Sequence, residues 1–165
     1  MHINHLALWC TDIERTRAFY EKYFGAVANS KYTNALKQFE SYFLALDGSV
    51  RIELMRRPDI AASAATQTVG YAHVAISVGS EQQVNELTRC MIADGVRCID
   101  GPRRTGDGYY ESVVLDPDGN RIEITVRSPS QNPLWPRPRR PPSISLGSGT
   151  RRDDRPTSMN LALRT

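Results

Sequence analysis

The sequence predicts an α+β domain built from two βαβββ modules that together form a curled, mixed β-sheet. Three observations carry this expectation. First, the chain opens on Ile3-Asn4-His5-Leu6-Ala7-Leu8 and opens again, in the same style, on Tyr71-Ala72-His73-Val74-Ala75-Ile76-Ser77-Val78. Second, each opening strand is followed by a stretch with helical apolar spacing. Third, each half closes on a similar strand, Val50-Arg51-Ile52-Glu53-Leu54-Met55 and Asn120-Arg121-Ile122-Glu123-Ile124-Thr125.

The elements follow in order. A strand is expected over about 2–9. Thr11-Asp12-Ile13-Glu14 reads as a capping box, with Thr11 as the cap and Glu14 reaching back. The helix behind it places Ile13, Ala18, Phe19, Tyr23 and Phe24 inward and stops at Gly25, a residue suited to the left-handed conformation that ends helices. Strands are expected at about 26–34 and 38–46, with Asp47-Gly48 turning the chain into the Glu53 strand. Residues 58–70 read as a linker, with Pro58 and the small-residue run Ala61-Ala62-Ser63-Ala64-Ala65. The second module repeats the scheme. Strand 71–78 leads to Ser80 as N-cap and a helix over about 81–94, with Val84, Leu87, Cys90 and Met91 inward and Gly95 at its end. Strands at about 96–99, 109–115 and 120–127 follow, the last two joined by the turn Asp116-Pro117-Asp118-Gly119.

Composition changes sharply after residue 127. Residues 128–165 hold seven of the ten prolines and seven Arg against only Asp153 and Asp154, with almost no periodic apolar pattern. Such a stretch buries too little apolar surface to offset chain entropy, so a disordered Pro/Arg-rich tail is expected there. The domain is therefore 1–127, with a first module at about 1–57, the linker at 58–70 and a second module at about 71–127. The tail carries a surplus of five positive charges out of the chain's net +3, which leaves residues 1–127 net negative by two. That balance argues against a nucleic-acid-binding domain. Cys10, Cys90 and Cys98 are an odd number without metal-type spacing, and no secretory or membrane-length apolar run is present. A reduced, cytoplasmic setting is expected, and none of the three cysteines is assigned a catalytic role.

Period-2 alternation decides where the ionisable residues point. His5, Glu53, His73 and Glu123 each lie between aliphatic residues that face the other way. The aliphatic faces belong under the helices, and the His and Glu faces belong on the concave side of the sheet. A single polar residue on the outer face of a strand is ordinary. Four in matching places of a repeat point to a metal site, with two imidazoles and two carboxylates converging. This nitrogen and oxygen set without thiolate suits one divalent ion, with Ni, Co, Mn, Fe and Zn all open. The spacing leaves open whether the four meet within one chain or whether His5 and Glu53 of one chain meet the His73–Glu123 pair of another.

These residues, the paired modules and the segment Leu115-Asp116-Pro117-Asp118-Gly119-Asn120-Arg121-Ile122-Glu123-Ile124 resemble the vicinal oxygen chelate superfamily of glyoxalases, bleomycin-resistance proteins and dioxygenases. The resemblance covers about 1–127. The order His, Glu, His, Glu is most like bacterial glyoxalase I. It implies a homodimeric, Ni- or Co-activated carbon–sulfur lyase for methylglyoxal detoxification. Such an enzyme converts the hemithioacetal of a 2-oxoaldehyde and a thiol to a 2-hydroxyacyl thioester through an enediolate whose charge the metal offsets. By the same analogy Glu123 is the main base and Glu53 its partner for the other face. Glutathione-using members carry Arg where this chain has Trp9, which leaves the thiol open. Trp9, Arg56, Arg103, Arg104 and Tyr109 are the candidate substrate contacts, with Arg57 a further basic candidate. Two other readings stand beside this one. They are a different enzyme of the superfamily, such as an Fe-dependent extradiol dioxygenase or an epimerase, and a non-catalytic protein that binds an antibiotic or another small ligand.

Overall fold

The computed structural model describes residues 2–46, 50–61 and 69–127. Met1–Pro133 form one compact unit; a second, Leu134–Thr165, lies outside the described residues. The expected tail over 128–165, the Asp47-Gly48 turn and most of the small-residue run after Ala61 also lie outside them.

The first module runs β1 (His5–Trp9), α1 (Ile13–Phe24), β2 (Val27–Ala28), β3 (Tyr32–Asn34), β4 (Phe39–Ala45) and β5 (Arg51–Arg56). The second runs β6 (Val74–Ser77), α2 (Glu81–Ala93), β7 (Cys98–Arg104), β8 (Tyr109–Leu115) and β9 (Arg121–Arg127). Each module owns one sheet. The first has the order β1-β5-β4-β2, with β3 also on β4, and the second the order β6-β9-β8-β7. β1 runs parallel to β5 and β6 parallel to β9, while the remaining pairs are antiparallel. The expected paired modules are present, each with its own mixed sheet. β1 and β6 are the edge strands that would have to join them, and the two do not pair.

Helix and sheet meet as the alternation requires. Tyr42, Leu44, Ile52 and Leu54 are buried on the face that α1 covers, and Ser112, Val114, Ile122 and Ile124 on the face that α2 covers. From the helices, Ile13, Thr16, Phe19 and Tyr20 and then Val84, Thr88 and Met91 close the two layers. Each fully buried aliphatic side chain is worth about 1.5–3 kcal/mol relative to exposure. Several details differ from expectation, among them the strand expected at about 96–99, which runs from Cys98 to Arg104. Ala18 and Cys90 are exposed, and Thr16, Tyr20 and Thr88 take inward places instead. The N-cap of α1 is Asp12, which accepts from the amides of Glu14 and Arg15. The strand expected over 26–34 is split into β2 and β3, where Asn29 interposes its side chain on the Phe43 amide at 2.8 Å.

Thr11 is freed from capping by Asp12 and turns to the other module. Asp118 accepts from the Thr11 amide and hydroxyl and from the Thr16 hydroxyl. Arg15 donates to the Pro117 carbonyl at 2.9 Å, and the Tyr20 hydroxyl lies 3.4 Å from Asp116. The turn after β8 therefore latches the start of α1, a role its sequence does not advertise. Asp116 orders the turn itself by accepting from the amides of Asp118 and Asn120. Burial, the largest influence on its carboxyl, pushes it above the usual carboxylate range.

Candidate metal centre

The four candidate ligands fall on the expected faces, in two pairs. In β1 and β5 the register sets His5 beside Arg51 and Ala7 beside Glu53, so His5, Ala7, Trp9, Arg51, Glu53 and Met55 share one face. On it the His5 Nε2 lies 3.6 Å from a Glu53 oxygen. In β6 and β9 the register sets Ala75 beside Glu123, and the His73 Nε2 lies 3.3 Å from a Glu123 oxygen. The side chains of both histidines are more than a third exposed, whereas those of Glu53 and Glu123 are 16% and 13% exposed. Within one chain the pairs stay apart, and among the described residues no three His, Cys, Asp or Glu side chains gather at one point. The expected convergence of four ligands is therefore not made by one chain.

Each half-site has its own wall. Around His5 and Glu53 it is aromatic. The Phe43 ring stands edge-on to His5 at 5.4 Å, and β4 sets Phe43 directly opposite Glu53. Trp9 meets Phe39 edge-on at 6.4 Å, and Tyr32 follows at 6.2 Å from Phe39. Trp9 is thus where a cavity wall is expected, with the Arg57 guanidinium 5.5 Å over its ring. Arg51 donates to the Asn4 side-chain oxygen at 2.6 Å and lies 4.6 Å over the Phe43 ring. The same Asn4 oxygen is 3.0 Å from the His5 Nδ1.

Around His73 and Glu123 the wall is charged. The turn after β8 fixes the register at Val113 beside Glu123 and Glu111 beside Thr125, which puts Glu111 on the same face. Glu111 is 8% exposed. Its carboxyl is held above the usual range by burial first and the Glu123 charge second, and it shares a hydrogen bond with Glu123. Arg103 lies 3.3 Å from Glu111 and grips Asp100 through Nε and Nη2 at 2.9 and 2.7 Å. A register irregularity in β7 between Asp100 and Arg103 brings Arg103 opposite Glu111. Gly101 makes this path possible. It sits at φ 76°, and a Cβ there would come within 2.5 Å of the Glu111 carbonyl oxygen. Thr125, buried on this face, has a hydroxyl without a partner among the described residues.

Two of the expected substrate contacts face away. Arg56 alternates to the helix side, where it meets Glu40 at 3.4 Å and donates to the Thr11 carbonyl at 3.2 Å. Arg104 is paired with Glu81 at 2.6 Å and stacks near Tyr110 at 5.6 Å, also on the helix side of β7. Arg103 and Tyr109 keep the site face. Arg51 and Glu111 are the residues the sequence reading missed. Both were within reach, because Arg51 stands two residues before Glu53 and the tight turn at 116–119 fixes the parity of Glu111. The Cys10 thiol is buried and pushed up to about 12, chiefly by burial, which keeps it from acting as a thiolate near neutrality.

The donor set fits a divalent cation. Glu111 and Glu123 are adjoining carboxylates with little exposure, and Arg103, shared with Asp100, is their neighbouring cation. Two imidazoles with two carboxylates suit a borderline divalent ion.

Comparison with known proteins agrees with this architecture. The family model of the Glyoxalase/Bleomycin resistance protein/Dioxygenase superfamily matches residues 2–124. Metallothiol transferase FosB of Lysinibacillus sphaericus (strain C3-41) is 31% identical over 122 residues, covering 74% of this chain and 79% of that protein. Virulence protein STM3117 of Salmonella typhimurium is 30% identical over 129 residues, 74% of this chain and 82% of that one. Among solved structures, the trypanothione-dependent glyoxalase I of Leishmania major superposes with a TM-score of 0.62 at 23% identity, over 75% of this chain and 85% of that one. The fosfomycin resistance protein FosX of Listeria monocytogenes, in complex with Mn(II) and 1S,2S-dihydroxypropylphosphonic acid, gives 0.63 at 21% identity, over 79% and 95%. The two superpositions establish the shared fold.

Proposed function

The chain belongs to the glyoxalase/bleomycin resistance protein/dioxygenase superfamily, and we propose that it is a glyoxalase I-like metal-dependent lyase acting on the hemithioacetal of a 2-oxoaldehyde and a thiol. The observation that carries this reading is Glu53. It faces His5 at 3.6 Å, as Glu123 faces His73 at 3.3 Å, so both halves of the repeat offer one imidazole and one carboxylate.

Since one chain holds the pairs apart, two copies assemble the site, His5 and Glu53 of one chain joining the partner's His73 and the partner's Glu123. A two-fold dimer makes two such sites. One divalent ion, Ni or Co favoured, would be held by these four groups and would supply Lewis-acid stabilisation of negative charge on the substrate's two vicinal oxygens. The chain's own residues do the rest. The Glu123 carboxylate takes the proton from the carbon that bears sulfur and hydroxyl. A proton is returned to the neighbouring carbonyl carbon, leaving a 2-hydroxyacyl thioester with no net change in atoms or electrons. Glu53 serves the opposite face of the substrate. Trp9, Phe39 and Phe43 keep water from the apolar side of the site.

The FosB relative, 31% identical, favours a second reading, a metallothiol transferase, which shares the metal and the thiol. The deciding experiment measures metal content and methylglyoxal-plus-thiol turnover after chelation and re-addition of Ni or Co, for wild type and Glu123→Gln. Metal-dependent turnover that falls by about 10²–10⁴ in the variant supports the lyase. Stoichiometric metal without turnover on any 2-oxoaldehyde adduct turns the assignment to the transferase. A protein that takes up no metal refutes both.

A further inference from the structure

We infer that Thr125 is a positioning residue for Glu123: its hydroxyl donates to the Glu123 carboxylate in the working site and holds it in place for the proton transfer. This rests on the lyase reading above and adds a reason for the two glutamates to do different work. Thr125 is 5% exposed, and its Oγ1 is buried with no hydrogen-bond partner among the described residues. A hydroxyl taken out of water without a partner destabilises the fold, so one that stays unpaired points to a use outside the resting structure. The register says where that use lies. Glu123 and Thr125 are two residues apart on β9 and therefore share a face. Thr125 stands on a rung that runs Ser77, Thr125, Glu111, Arg103 across the sheet, next to the one that holds Glu123.

Of the two carboxylates beside this hydroxyl, Glu123 is the one that needs it. Glu111, directly across the strand pair, has Arg103 at 3.3 Å on its far side. Glu123 has the His73 imidazole at 3.3 Å, and an ion held by that imidazole would take the same nitrogen. A carboxylate that both holds an ion and takes a proton needs its two oxygens told apart. A hydroxyl donating to one of them does so, and in a little-exposed setting that bond is stronger than in water. The first module supplies the contrast. Its matching rung is Trp9, Met55, Ser41, Tyr32, so the residue two past Glu53 is Met55, whose thioether has no hydrogen to donate. A donor thus stands two residues past one glutamate and none two residues past the other, in keeping with Glu123 as the main base and Glu53 as its partner.

The test uses Thr125→Val, which removes the hydroxyl at nearly constant shape, and Thr125→Ser, which keeps it. Both are compared with wild type by chemical denaturation of the full chain, by visible absorption of the Co(II)-loaded protein, and by turnover of a methylglyoxal–thiol adduct. In Thr125→Val the denaturation midpoint should not fall, because the hydroxyl it loses has no partner in the fold. Its Co(II) absorption should shift, and its kcat should fall about tenfold with KM within about twofold of wild type. Thr125→Ser should restore both the absorption and kcat. A midpoint that falls in Thr125→Val means that the hydroxyl serves the fold and overturns the assignment. So does an unchanged kcat, or a Co(II) absorption identical in all three proteins. If wild type turns over no adduct, the lyase reading is what has failed, and the absorption then decides the role of Thr125 on its own. Bands that move in Thr125→Val and return in Thr125→Ser uphold it, and bands that never move refute it.

Discussion

The two half-sites come from one repeated pattern yet present opposite surroundings. His5 and Glu53 sit among Phe43, Trp9, Phe39 and Met55, whereas His73 and Glu123 sit among Glu111, Arg103 and Thr125. The substitution is position for position. Counting back twelve residues from each Glu gives Ser41 in the first module and Glu111 in the second. The residue across the strand pair is Phe43 in one and Val113 in the other. Both copies carry the His–Glu pair, while the walls around it differ. A site assembled from one half of each kind has an apolar side and a hydrogen-bonding side, which a symmetric site could not offer. Such a site can orient an asymmetric substrate.

The comparison breaks most visibly if the halves are recombined. Coexpressed His5→Ala and His73→Ala chains form mixed dimers in which one site lacks both imidazoles and the other has both. Each variant alone should be inactive, and random mixing should restore activity to about a quarter of wild type, since half the dimers are mixed and half their sites are whole. No recovery in verified mixed dimers would mean that the pairs do not meet across chains. The measurement is turnover per mole of protein, with dimer composition checked by mass.

A smaller effect separates the two walls. Glu111 lies beside Glu123, whereas the matching place of the other half-site holds the buried Ser41. Glu111→Gln should weaken metal affinity about 10- to 100-fold, as the loss of a group that orients a ligand does. Ser41→Ala should leave affinity within a factor of two or so of wild type on the same grounds. Equal losses in competitive metal titration would show that the charged wall has no special part in holding the ion.

The sequence made the architecture legible because the strands that pair in the middle of each sheet alternate cleanly. Ile52 and Leu54, and then Ile122 and Ile124, are buried where period-2 reading puts them, and both helices begin and end within two residues of expectation. The same parity foretold the faces of His5, Glu53, His73 and Glu123. What it could not foretell was distance. Parity orients a side chain relative to its own sheet and says nothing of how two sheets are set, so it left open whether the four residues meet within one chain or across two. Arg56 and Arg104 illustrate a second blind spot. Each is one residue past a site-face position, and in a strand that step reverses the side chain. Arg103 reaches the site face through the β7 irregularity at Gly101, which strict alternation would not have located.

The setting of the two modules depends in part on a contact that reads from sequence as a turn alone. Asp118 accepts from the Thr11 amide, the Thr11 hydroxyl and the Thr16 hydroxyl, with its side chain 7% exposed, while Asp116 orders the turn through its own bonds. Asp118→Ala should therefore leave the turn intact and weaken the latch, lowering stability by about 1–2 kcal/mol because the buried Thr16 hydroxyl and the exposed Thr11 amide and hydroxyl lose their acceptor. Asp118→Asn keeps one acceptor oxygen and should recover part of the loss. Chemical denaturation of the two variants measures both, and an unchanged midpoint in Asp118→Ala would mean that Asp118 adds nothing to the hold between the modules. With the latch cut, each half-site keeps its own His–Glu pair, because the register of β1 with β5 and of β6 with β9 does not pass through Asp118. Metal affinity in the variant should then fall only as far as the relative setting of the modules matters, which separates the geometry of a half-site from the geometry of the whole.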